Sequence, residues 1–322
     1  MLLLLLKENQ ELYMAISYRR LLRLGLLLLL RWAEAATTTL TSKHVLQVAR
    51  LAARDAGTHL AARVGKAAVL ATKQDAADLV TAVDGECQDM IEAHVRAAFP
   101  THAMLGEESV PPGVDAAMAA LAELQQKAEW IWIVDPIDGT TNFVSGLPLC
   151  AVSIGITRRG ERMGAAVYDP FRDELFTAWR GEGAWLNEER MSAGPVESLS
   201  DAVLCACSPH SARSIGPALR SIAELMPRSR SLRILGSGVL NFAWVACGRL
   251  SAYWEPELAP WDCAAGTLLI EEAGGTVSAL DGTPYTLLTP AVLGCASGIH
   301  AELVEALLRA DAAARDADAD DM

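Results

Sequence analysis

Positive charge is scarce in this sequence. Across 322 residues, 27 lysines and arginines stand against 40 aspartates and glutamates, a formal net charge of -13 at pH 7. Nucleic acid is gripped by basic patches or stripes. No basic run of that kind occurs, so no nucleic-acid partner is expected. The cysteines number seven, an odd count, with no C-x-x-C pair. Most sit in apolar surroundings and read as reduced core thiols, because a buried free cysteine behaves as a small hydrophobe. Cys205 and Cys207 form a C-x-C with only His210 nearby, too few ligands for zinc. The six histidines are scattered. The Gly-rich "GSGVLNFAWVACG" lacks G-x-G-x-x-G and a downstream acid, so no dinucleotide site is expected there. No internal repeat appears.

What is present is a globular composition, 52% apolar and 21% charged. The length suits two packed lobes. Residues 1–36 stand apart. "YRRLLRLGLLLLLRWAEAA" has a basic start, a leucine run flanked by Arg23 and Arg31, and an A-x-A site at Ala33 to Ala35. This is the layout of a cleaved leader, with Met14 as a plausible start. A secretory signal, an organellar transit peptide and a leader with no role all fit; without a working leader the protein is expected in the cytoplasm. The leucine run is too short to span a bilayer, so no stable membrane span is expected. The remaining boundaries are a 37–194 α+β lobe, a 195–311 α/β lobe and an acidic, frayed tail at 312–322.

From Thr41 the apolar spacing is helical to about Gly65. Asp84 is expected to N-cap a second helix, Ala-rich 115–128 to form a third, and "WIWIV" a buried strand. "CAVSIGITRRG", "ERMGAAVYDP", "DELFTAWRG" and "GAWLN" read as antiparallel strands. Beyond about 195, strands and helices alternate, with helices expected near 213–226, 238–248, 262–273 and 299–310. The fold class is a mixed α/β (α+β) chain, its sheets sandwiched between helix pairs.

Acids gather at the ends of these elements: Asp84, Glu107 with Glu108, Asp135 with Asp138, and Asp262. Carboxylates drawn from distant parts of a chain, with no histidine among them, suit a hard oxygen-ligated cation such as Mg²⁺. In "DPIDGTTNF", Pro136 biases Asp135 to an extended backbone. Gly139 permits close approach to a ligand. The residues after it can open a helical turn whose N–H groups bind phosphate. Taken singly, each acid also reads as an ordinary turn or cap residue.

"GEES", "DPIDGTTNF" and "WDCAAGTLLIEEAGG", in this order, resemble the inositol monophosphatase family of Mg²⁺-dependent, lithium-sensitive phosphatases. The similarity runs from about residue 43 to 308 and includes "DLVTAVD" and the "GSG" before a helix. The resemblance implies a layered α-β-α-β-α sandwich, a homodimer, and two or three Mg²⁺ ions. It implies that Glu107, Asp135 and the Ile137 carbonyl hold one ion, and Asp135, Asp138 and Asp262 a second. Glu107 would also border a third. Thr140, paired with Asp84, would orient and help deprotonate a metal-activated water. The N–H groups of Gly139 and Thr140 would receive the phosphate. Gly236, Ser237, Gly238 and Glu255 would lie near the substrate's hydroxyls, and Lys73 near the metal loop. Gly238 replaces a usual alanine, Pro256 stiffens the substrate loop, and Asn241 varies in the family.

The implied reaction is hydrolysis of a small phosphate monoester, with myo-inositol 1-phosphate as the leading substrate. L-galactose 1-phosphate, histidinol phosphate, fructose 1,6-bisphosphate and nucleotides are handled elsewhere in the superfamily. A carboxylate at Glu255 favours a polyol, since it can accept hydrogen bonds from vicinal hydroxyls. A non-catalytic dimeric homologue is the contrasting reading, and it would be marked by a lost ligand.

Overall fold

The computed structural model describes residues 42–72, 79–206 and 211–320. The leader, Lys73, Cys207 and His210 lie outside the described residues. Helix α1 spans 42–61. A short antiparallel pair follows, β1 (Val69–Thr72) with β2 (Leu79–Thr81). Helix α2 (Ala82–Ala98) leads to β3 (Ala103–Gly106), α3 (Val114–Lys127), β4 (Trp130–Asp138) and a short α4 (Thr140–Ser145). The chain then meanders through β5 (Ala151–Arg158), β6 (Glu161–Asp169), β7 (Glu174–Trp179), β8 (Gly183–Leu186) and β9 (Glu189–Arg190). Strands β3 to β9 form one seven-stranded sheet in sequence order, antiparallel except for the parallel β3–β4 pair.

A second, five-stranded sheet has the order β11-β10-β12-β14-β13. It is built from β10 (Val203–Ala206), β11 (Ser231–Arg233), β12 (Ala252–Glu255), β13 (Thr276–Ser278) and β14 (Val292–Cys295). Its helices are α5 (Ala212–Leu225), α6 (Gly238–Ala246), α7 (Pro260–Glu272) and α8 (His300–Asp320).

The layers follow from which faces are apolar. Residues 131–138 of β4 are all buried, as a strand covered on both faces requires. Helix α7 is buried at nearly every position from Pro260 to Ile270, the mark of a helix enclosed by protein. It lies with α6 between the two sheets, and one core joins Val167 and Phe176 to Phe242, Tyr253 and Leu268. Gly155 of β5 makes the close approach possible: a Cβ there would meet the Ala264 Cβ at 2.4 Å. Helices α1 and α2 pair on the outer side, where the Cys87 thiol donates to the Ala56 carbonyl at 3.5 Å. On the far side α5 and α8 cover the smaller sheet through Leu225, Trp254 and Leu303. The result is the expected α-β-α-β-α sandwich. No described helix is long and apolar enough to cross a membrane.

Several local expectations change. The N-cap of α2 is Thr81, not Asp84. Asp84 sits at N3 and closes a capping box, its Oδ2 accepting from the Thr81 N–H at 2.8 Å. Helix α7 starts at Pro260 rather than Asp262, because proline suits the first helical position. Strand β14 was not anticipated, since "VLGC" is too short an apolar run to type by period. Helix α8 continues through the Ala/Asp-rich stretch expected to fray, where alanine favours helix.

Candidate active site

Asp135 and Asp138 are three residues apart, and regular strand alternation would send them to opposite faces. A β-bulge prevents this. Asp135 is paired with Ser153 and Asp138 with Ala151, so three steps on β4 match two on β5. The two aspartates thereby converge. One carboxylate oxygen from each, and one from Asp262, lie within 4.8 Å of one another.

Each acid is fixed by its own backbone surroundings. Asp135 is buried and its Oδ1 accepts from the Ile137 N–H at 3.0 Å. Asp138 is buried and holds the start of α6. It accepts from the Gly238 N–H at 3.2 Å, from the Val239 N–H at 3.1 Å and from the Ser237 hydroxyl. Ser237 in turn caps α6 by accepting from the Leu240 N–H at 3.3 Å. Asp262 occupies N3 of α7, with Oδ2 accepting from the Ala259 N–H at 2.8 Å. Glu107 stands in a single 3-10 turn after β3, outside the tight triad but on the same cavity.

Electrostatics sets this cluster apart. Burial pushes the Asp138 carboxyl up to about 6, against the hydrogen bonds from Ser237, Val239 and Gly238. Burial, then the charges of Glu107 and Asp138, push Asp262 well above the usual carboxylate range. The cavity has a volume of about 660 Å³, and among its described lining residues none is lysine, arginine or histidine. Carboxylates crowded without a cationic side chain are costly to ionise. An all-oxygen donor set of this kind fits Mg²⁺ and other hard divalent ions.

The neighbouring residues surround the same cavity. Gly139 precedes α4 at φ 83°, a left-handed conformation. A Cβ there would lie 2.9 Å from the Leu149 carbonyl oxygen and 3.1 Å from that of Gly236. The Thr140 hydroxyl is 3.0 Å from the Ile137 carbonyl oxygen and 3.5 Å from Asp84 Oδ1. It has one proton to donate, and the shorter contact is the better bond, so the Thr140–Asp84 pairing is long here. Gly236, Ser237, Gly238, Asn241 and Glu255 all line the cavity, and Asp84 reaches it through Thr140.

A model of the inositol monophosphatase family matches residues 41–312. The chain belongs to that family. An inositol-1-monophosphatase of Rhizobium meliloti (strain 1021) is 43% identical over 201 residues, covering 62% of this chain and 71% of that protein. A Vibrio cholerae protein named Nus factor SuhB is 37% identical over 262 residues, covering 80% of this chain and 94% of its own. The structure of the Thermotoga maritima IMPase superposes with a TM-score of 0.74 at 30% identity, over 83% of this chain and 98% of that one. Membership of the inositol monophosphatase family supports a phosphatase, and Mg²⁺ dependence and lithium sensitivity are general to the family.

Three features of this family member escaped sequence reasoning. Tyr253, two residues before Glu255 and so on the same face of β12, donates its hydroxyl to Glu255. Asn142 ties α4 to the 235–236 turn by donating to the Leu235 and Gly236 carbonyls, at 2.8 and 3.2 Å, and also donates to the Leu149 carbonyl at 2.9 Å. Glu257 lines the cavity but looks like an ordinary loop acid in the sequence.

Proposed function

We propose that this protein is a Mg²⁺-dependent hydrolase of a small phosphate monoester, with myo-inositol 1-phosphate as the leading substrate. One observation carries the reading: Asp135, Asp138 and Asp262 converge within 4.8 Å in a cavity whose described lining is acidic and has no basic side chain. A phosphate can enter such a cavity only with cations to meet it.

Asp135, Asp138 and Asp262 would hold one ion, and Asp135, Glu107 and the Ile137 carbonyl another, with Glu107 bordering a third. Bound divalent ions supply positive charge for the phosphoryl oxygens and make water nucleophilic near neutral pH. The chain's own groups do the rest. Asp84 is the acceptor that a threonine hydroxyl needs, since Thr140 is a poor base alone. A 3.5 Å contact in the resting protein leaves room for the pair to tighten around a reacting water. The Ile137 carbonyl has two lone pairs, so accepting from Thr140 leaves one for a ligand. Gly139 and Thr140 open α4, where first-turn N–H groups lack helical partners and favour phosphate. The water oxygen bonds to phosphorus, the ester P–O bond breaks, and the alcohol leaves with a proton.

Glu255 supports a polyol as the organic part. Burial, then the charge of Asp138, push its carboxyl up to about 8 even as it accepts from Tyr253. Near pH 7 it keeps a proton and can both donate to and accept from hydroxyls. Gly236, Ser237 and Gly238 would border the same hydroxyls.

The test is phosphate release, with and without Mg²⁺, from inositol, sugar, amino-alcohol and nucleotide monophosphates. A strong preference for histidinol phosphate or a nucleotide would replace the inositol assignment with one of its superfamily alternatives. The Nus factor name of the Vibrio relative favours a second, non-catalytic reading, and Mg²⁺-independent absence of turnover on the whole panel would support it. A homodimer is proposed from the family resemblance, checked by light scattering. Targeting by residues 1–36 is proposed from the leader pattern, checked by sequencing the mature N-terminus.

A further inference from the structure

One ion pair at the cavity has no place in the chemistry above. Glu257, on the loop between β12 and α7, lines the cavity together with Ser211 and Ile215 from the start of α5. Its side chain is only 13% exposed. Oε2 accepts from the Ser211 hydroxyl at 2.5 Å and from that of Ser214. Oε1 accepts from Arg213 Nε at 2.7 Å and from a second guanidinium nitrogen. Burial raises this carboxyl, but the bonds from Arg213, Ser211 and Ser214 outweigh it and hold it down at about 2.

Arg213 is therefore a cation beside the cavity that is turned to an acid of the cavity wall. A second described acid, Asp115 at the start of α3, is 3.8 Å from it and exposed. The two residues before Glu257 include Glu255, the acid proposed to meet the organic group. We propose that Glu257, by holding Arg213, is a specificity-determining residue for that organic group. It keeps the Arg213 charge out of this part of the cavity, and so admits esters whose organic part is neutral or cationic over those carrying a second phosphate. The proposal rests on the phosphatase reading and deepens it: the substrate class is a monophosphate of an uncharged polyol or an amino alcohol.

The charge logic has a sign that a structural role would not reproduce. Glu257→Gln releases Arg213 and adds a net positive charge at the wall. Arg213→Gln leaves Glu257 without a counter-ion, held only by Ser211 and Ser214, and adds a net negative charge. The two substitutions break the same contact, so a purely structural contact predicts the same change from both. The experiment compares kcat/KM for fructose 1,6-bisphosphate, glycerol 2-phosphate and phosphoethanolamine on the full chain with Mg²⁺.

The expected result is that Glu257→Gln raises the ratio of bisphosphate to glycerol phosphate several-fold, mainly through KM, and that Arg213→Gln lowers it and favours phosphoethanolamine. Arg213→Lys keeps the charge and restores the wild-type ratio. Raising the salt concentration shrinks both shifts, because Arg213 is 63% exposed and screened. Ratios that stay at wild type, or move the same way in both variants, overturn the proposal. If Glu257→Gln does not fold, Arg213→Gln against Arg213→Lys decides alone. Phosphate release by the wild type from none of the three esters and not from myo-inositol 1-phosphate would overturn the phosphatase reading itself, and this proposal with it.

Discussion

Asp138 concentrates the site's physical tension in one side chain. It is buried, its carboxyl is raised to about 6, and three hydrogen bonds from the start of α6 hold it in place. Asp138→Asn removes the charge and keeps the size. Loss of an outer-shell partner typically weakens metal binding or activity about 10- to 100-fold, so loss of a proposed ligand should lower Mg²⁺-supported turnover by more than about 100-fold. Circular dichroism should show the fold retained; normal turnover at low Mg²⁺ would refute the ligand role. The next residue is constrained by backbone alone. Gly139→Ala must hold φ 83° and push its Cβ against two carbonyl oxygens. It should lose about 1–3 kcal/mol in chemical denaturation, whatever the metal content. Gly139 was legible from the sequence because proline, aspartate and glycine together imply a tight, ligand-facing backbone. Tyr253 and Glu257 were not, since nothing in a one-dimensional pattern marks which strand or loop residue faces a cavity.

At the scale of elements, three of the acids are held by helix N-termini. Asp84 at N3 of α2 and Asp262 at N3 of α7 each use one oxygen on the N-cap N–H, while Asp138 binds the first two N–H groups of α6. The positive end of each helix dipole offsets part of the crowded negative charge. The same bonds fix carboxylate directions before any ligand arrives. Ser237 links the two functions, since its hydroxyl caps α6 and donates to Asp138. Ser237→Ala should cost about 0.5–2 kcal/mol through the lost cap. It should also raise the Mg²⁺ concentration for half-maximal activity by about 10- to 100-fold. Thermal melting and a metal titration separate the two effects; an unchanged Mg²⁺ requirement would confine Ser237 to capping. The acids themselves are visible in "DLVTAVD" and "WDCAAG", where Asp84 reads as an N-cap and Asp262, taken singly, as a cap or turn residue. The N3 position emerges only when Thr81 and Ala259 are seen to begin their helices.

The whole molecule has to tolerate an acidic cavity between its parts, and this makes its stability depend on pH and on cations. Glu255 has its carboxyl raised from the ordinary 4.5 to about 8, so folding favours its protonated form. That contribution is complete below 4.5 and is lost as pH rises through about 8. In metal-free protein, the melting temperature of wild type should fall between about pH 5 and pH 8 more steeply than that of Glu255→Gln. Equal slopes would show that Glu255 is not held protonated. Chelation should lower the melting temperature at neutral pH, and Mg²⁺ should raise it in a concentration-dependent way, because an ion that binds only the folded state stabilises it by mass action. Indifference to Mg²⁺ in calorimetry would argue against any ion in the cavity.

The sequence by itself determined the layered α/β class, the identity of the acids and their family. Apolar period, turn residues and three ordered motifs are local properties, and they survive in one dimension. Tertiary structure decided how Asp135 and Asp138 come to one side, since the bulge is defined only by the pairing of β4 with β5. It decided that Asp262, more than a hundred residues away, joins them, because α7 is drawn between two sheets by an almost wholly apolar surface. It also decided that Arg213 is turned to Glu257. Convergence, burial and the fate of a charge depend on what the rest of the chain brings alongside, and no residue's own neighbours in sequence can supply that.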